Sequence, residues 1–155
     1  GAEQWPTLLA ELLQLSQSGM VAAMEAVGKA CEDGCEEMVA DEPLMAQLIP
    51  ALIGLLSSSP NIEIRRLALD AFNVFILHPS EQIEAALSSL LGVLGQLTGE
   101  GRLQRSLCEC LSLLVEAYPA EMQSALPAIH EFQLAALQSP QEAVCLEACE
   151  FWLAA

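Results

Sequence analysis

Six cysteines, two histidines and a recurring carboxylate are the side chains of this sequence best equipped for chemistry. The thiols stand at Cys31, Cys35, Cys108, Cys110, Cys145 and Cys149, and the imidazoles at His78 and His130. A zinc site wants about four ligands converging tetrahedrally, and neither histidine lies near the thiols in sequence. Cys31 with Cys35, and Cys145 with Cys149, are four residues apart. On a helix each pair shares a face, where two cysteines are badly placed for a disulfide. Free thiols in a reducing compartment, filling small gaps between helices, are therefore expected. No metal or cofactor is expected. The GxxxxGK(S/T) phosphate loop, the HExxH zinc motif and the GxSxG elbow are absent. Gly99-Glu100-Gly101 is too short for a dinucleotide fingerprint. These features point to a chain that binds rather than catalyses.

What it binds is suggested by charge. There are 21 acidic residues against 5 basic ones, a net charge of −16. Such a field repels nucleic acid and anionic membranes and attracts basic proteins. No apolar run approaches the roughly 18 residues of a membrane span. Glu25, Asp70, Glu109 and Glu150 are the candidate partner-binding residues, because they fall at equivalent places in a repeat. Stacked helices would set them about 10 Å apart, as rungs on one face. One reading makes this stripe a receptor for a basic partner. The other makes it a solvated face partly neutralised by Arg66 and Arg105. The acidic stretch 34–42 reads as a connector, or as a place for a basic loop of a partner. His130 is expected at the surface, and Trp5 and Trp152 as core filling or interface anchors.

The elements that must hold these residues are helical. Of the chain, 54% is apolar and 5% aromatic, a Leu- and Ala-rich mixture suited to close helix packing. Eight segments form four pairs: 4–16 with 19–33, 43–57 with 60–77, 80–98 with 101–117, and 119–138 with 140–154. Ser59 and Ser139 are expected N-caps, with Pro60 and Pro140 at the first helical position. Ser139 with Glu142 fits a capping box, and Pro119 opens the seventh helix. Pro50 and Pro127 are placed inside first helices, where each bends its helix.

The pairs repeat. Ile64 aligns with Leu103, 39 residues on, and with Val144, 41 further. Ala71-Phe72, Cys110-Leu111 and Phe151-Trp152 then fall in register, and an offset of 45 brings in Ala26-Val27. Two helices per period of about 40 predict an all-α solenoid of about four HEAT-type hairpins, one array over 1–155 with repeats at 4–33, 43–77, 80–117 and 119–154. A closed bundle is the alternative. Neither end carries a polar cap, so exposed apolar patches and self-association are expected there.

Within that pattern the sequence resembles the transportins, a branch of the importin-β family of karyopherins. Val144 followed by Leu146-Glu147-Ala148-Cys149-Glu150-Phe151-Trp152-Leu153 is the most specific stretch. Trp5-Pro6 before Leu8-Leu9, Ala30-Cys31-Glu32-Asp33, Ile49-Pro50 and Ile64-Arg65 follow the same order. Residues 79–105 match poorly, and the family's Val-Arg pair becomes Leu103-Gln104 and Val144-Cys145. The resemblance implies part of the N-terminal arch of a nuclear import receptor working in cytoplasm and nucleus. It implies as partners the GTP-bound form of the Ran GTPase, engaged by the arch, and phenylalanine-glycine nucleoporins in outer grooves between first helices, with basic cargo also admissible. A HEAT scaffold of another assembly is the alternative function.

Overall fold

The computed structural model describes residues 5–154, and the side chain of Trp5 lies outside the described part. Among the described residues there is no strand. The chain divides into two compact units, residues 1–93 and 94–155.

The first unit holds α1 (Trp5–Gln17), α2 (Val21–Ala40), α3 (Glu42–Ser58), α4 (Ile62–Phe75) and most of α5 (Glu81–Leu97). Gly19 adopts φ +100, a conformation that side chains resist, and turns α1 into α2. The N–H groups of Gly19 and Met20 close the turn on the carbonyls of Ser16 and Leu15. Asp41 caps α3 by accepting from the Leu44 N–H at 3.1 Å. Asn61 caps α4, accepting from Glu63 and Ile64 at 2.9 and 3.4 Å. Glu42 and Glu63 then place negative charge in the first turns, where the helix dipole favours it. First helices pack on each other (α1 on α3), and so do second helices (α2 on α4). That like-on-like stacking is the HEAT-type solenoid arrangement and not a closed bundle. Met24, Val27, Met45, Leu48, Leu52, Leu69 and Phe72 are almost wholly buried in its core.

The second unit holds the end of α5, a 3₁₀ turn at Gly101–Leu103, α6 (Gln104–Ala117), the single turn α7 (Pro119–Met122), a second 3₁₀ turn at Gln123–Ala125, α8 (Leu126–Ala136) and α9 (Glu142–Ala154). Here α6 packs chiefly on α9, again second helix on second helix. Cys108, Ala136, Val144 and Ala148 form a buried cluster, with Phe132 and Leu137 against it.

Three local expectations are corrected. The acidic stretch 34–42 is not a connector but the last turns of α2 and the start of α3, with a kink at Gly34 (φ −117, ψ 21). Its buried Cys35 and Met38 continue the apolar face of Val27 and Cys31 past the glycine, and burial outweighs the weak helix propensity. Ser59 is not the cap of α4. Its hydroxyl accepts from the Asn61 N–H at 3.2 Å, and Asn61, one residue past Pro60, does the capping. Pro127 stands at the start of α8, because the 3₁₀ turn breaks the expected seventh helix before it. Pro50 does lie inside α3, and Pro119 does open α7.

Candidate functional site

Of the carboxylates singled out in the sequence, Asp70 and Glu25 lie near Arg66 in the first unit and Glu109 near Arg105 in the second. In the first unit, α4 buries Ile64, Ala68, Leu69 and Phe72, which leaves Arg66 and Asp70 half-buried at the edge of the helix. The Arg66 guanidinium donates to Asp70 Oδ2 at 2.9 Å. It also grips both oxygens of Glu63, with Nε 3.2 Å from Oε2 and Nη2 on Oε1. The Glu63 hydrogen bond raises the guanidinium's proton affinity most, burial opposes it, and the charges of Glu63, Asp70 and Glu25 add to it. Glu25, exposed on α2, thus feels the same cation across the α2–α4 contact.

In the second unit Arg105 stands on α6, at the repeat position of Arg66. Its Nη2 lies 3.4 Å from Glu147 Oε1 on α9, and its Nη1 4.0 Å from Glu109 Oε2. Glu147 is half-buried, and its carboxyl is pushed above the usual carboxylate range. Burial is the main cause, followed by the charge of Glu109; Arg105 pulls the other way and Glu150 adds to the rise. Glu109, Glu116, Glu147 and Glu150 line one cleft of about 660 Å³ together with His130 and Phe151. The exposed His130 ring lies 5.3 Å from Trp152 and 6.0 Å from Phe151, giving the acidic cleft an aromatic side.

Each predicted stripe residue therefore lies on a second helix: Glu25 on α2, Asp70 on α4, Glu109 on α6 and Glu150 on α9. Glu25 and Asp70 converge on Arg66, while Glu109 and Glu150 share the cleft. Asp70 and Glu109 each sit beside the arginine four residues earlier. Sequence reading missed Glu63, Glu147 and Glu116. Glu63 was detectable, standing three residues before Arg66 on one helix face. Glu147 meets Arg105 only across the α6–α9 packing, which no local spacing announces.

All six cysteines are free. Burial pushes the thiols of Cys31 and Cys108 up to about 12, and that of Cys110 upward too, so these sulfurs stay protonated and poor as ligands or nucleophiles. Among the described residues, no group of three or more His, Cys, Asp or Glu is placed to hold a metal ion. No described helix is long and apolar enough to cross a membrane. What the geometry offers is a cleft where negative charge lies beside aromatic rings.

Stacked hairpins with acidic edges on their second helices define a HEAT-type α-solenoid segment. No family model matches the chain. Importin subunit beta-2 of Schizosaccharomyces pombe is 31% identical over 99% of the chain, and transportin-1 of Mus musculus 33% over 97%. The transportin of Dictyostelium discoideum is 30% identical over 97%. The chain belongs to the transportin/importin-β family of karyopherins, transport receptors rather than enzymes. It spans about 18% of the length of the first two of these relatives.

Proposed function

We propose that the chain is a non-catalytic, protein-binding segment of a nuclear import receptor, working in cytoplasm and nucleus and contributing to the binding of Ran, of nucleoporins, or of both. The observation that supports this reading most is the repeated placement of carboxylates around a single arginine on the second helices. In each cluster the acids outnumber the cation: Glu25, Glu63 and Asp70 surround Arg66, and Glu109 and Glu147 flank Arg105 with Glu150 close by. Spare negative charge on a rigid helical surface gives a basic partner both steering and specificity. The same field accommodates basic cargo and disfavours nucleic acid and anionic membranes.

Pull-down with Ran loaded with GTP or with GDP tests the reading. Binding of the GTP form alone is the expected result. Binding indifferent to the nucleotide, or none, would replace it with a HEAT scaffold of another assembly. Asp70→Lys together with Glu109→Lys should weaken binding at least about tenfold at low salt while leaving the helical content unchanged, since both side chains are partly exposed.

A further inference from the structure

A groove of about 660 Å³ in the second unit is lined from α6, α8 and α9, and its walls combine two chemistries. Leu113 and Val115 on α6, with Phe151 and Ala154 on α9, supply apolar surface, and His130 on α8 supplies an exposed ring. That ring belongs to a braced set. Its centroid lies 5.3 Å from that of Trp152 and 6.0 Å from that of Phe151, and the last two stand edge to face at 5.0 Å. Four carboxylates, Glu109, Glu116, Glu147 and Glu150, share the groove, and no lysine or arginine is among the residues that line it. Arg105 reaches Glu147 at 3.4 Å and Glu109 at 4.0 Å. Glu116 and Glu150 are exposed and make no ion pair among the described residues.

These walls select a guest. Among the described residues no three His, Cys, Asp or Glu are placed to hold a metal ion, so the charge suits an extended organic cation rather than a divalent ion. The rings then discriminate between the two basic side chains. A lysine ammonium is compact and strongly hydrated. A guanidinium is planar and weakly hydrated, lies against aromatic faces and forks onto carboxylates. We propose that the groove docks an arginine side chain borne on an exposed segment of a basic partner protein, with the guanidinium face against His130 and its N–H groups directed to Glu116 and Glu150. The inference rests on the reading of the chain as a binder of basic proteins, and gives that reading a place and a side chain. All the walls come from helices packed within one unit. The net charge of −16 hastens the arrival of any basic partner, whereas the rings make this groove selective.

Fluorescence anisotropy of dye-labelled tetra-arginine and tetra-lysine peptides, titrated with the full chain at physiological ionic strength, tests this directly. The arginine peptide should bind about fivefold more tightly than the lysine peptide of equal charge. Glu116→Gln with Glu150→Gln should weaken the arginine peptide at least about fivefold. Glu11→Gln with Glu84→Gln, an equal loss of charge outside the groove, should weaken it less than about twofold. His130→Ala should remove most of the preference for arginine and leave the lysine peptide's affinity nearly unchanged. All of these positions are exposed, so the variants should keep the parent's helical circular dichroism. Equal affinity for the two peptides, or equal losses from the two pairs of substitutions, would overturn the proposal. The peptides contain no Ran, so the two readings fail separately. Ran that binds while neither peptide does would overturn this inference alone, and an arginine peptide that binds as stated while GTP-loaded Ran does not would overturn the Ran reading alone.

Discussion

Arg66 in the first unit and Arg105 in the second stand 39 residues apart, at matching places on α4 and α6, and each has an acidic residue four positions later. Their surroundings differ. Arg66 is held on its own helix, by both oxygens of Glu63 and by Asp70. Arg105 reaches its nearer partner, Glu147, across a helix–helix contact, and Glu109 stays 4.0 Å away. The first cluster is bonded within one helix, with the charge of Glu25 acting on it from α2, whereas the second is bonded across the α6–α9 contact. The capping differs in the same sense. Side-chain caps start α3 and α4, though not α2, while α6, α7 and α8 begin without one. The first unit thus has more of its specification in local contacts, and the second relies more on packing between helices.

The largest expected effect contrasts two phenylalanines. Phe72→Ala removes a side chain only 1% exposed from a closely packed core, and should cost about 4–5 kcal/mol in chemical denaturation. Phe151→Ala should cost about 3 kcal/mol, toward the lower end of the range, because Phe151 borders the cleft and its ring neighbours have room to collapse. Equal losses would remove the contrast in packing.

Helix starts come next. Asn61→Ala strips two backbone N–H groups of their acceptor and should cost about 1 kcal/mol. Ser139→Ala should cost a few tenths of a kcal/mol, of the order of an exposed substitution. Ser139, expected to cap the last helix with Pro140 at its first position, instead accepts from the Gln141 N–H ahead of α9, which starts at Glu142.

How much of this was legible in the sequence follows the same division. Offsets of 45, 39 and 41 were readable because apolar positions recur with the stacking, and together they placed the second helices and all four stripe carboxylates. The acidic segment 34–42 was misread because a glycine among acids has the composition of a connector. Only the burial of Cys35 and Met38 shows that the helix runs on. Pro127 was misplaced because a 3₁₀ turn, whose sequence marks are weak, shifts the helix start. Glu147 was overlooked because its importance comes from a neighbouring helix rather than from its own.

The smallest effect concerns protons. Glu147 binds its proton more tightly in the folded chain than in the unfolded one, chiefly through burial. The folded state therefore carries more protons, and its stability falls as pH rises from the unfolded carboxyl value of about 4.3 through the raised folded one. Relative to the parent, Glu147→Gln should gain thermal stability as pH rises above about 4, and the two should melt with a constant difference below that. A difference independent of pH would show that the second cluster is as well satisfied as the first.

The most direct measurement is the affinity for GTP-loaded Ran, by titration calorimetry at low and at high salt, of the parent, of Asp70→Lys and of the double variant Glu109→Lys with Glu150→Lys. The expected result is a salt-sensitive affinity that falls more for the double variant than for Asp70→Lys, because the double variant reverses two carboxylates of the cleft. An affinity unaffected by salt and by every substitution would contradict the account.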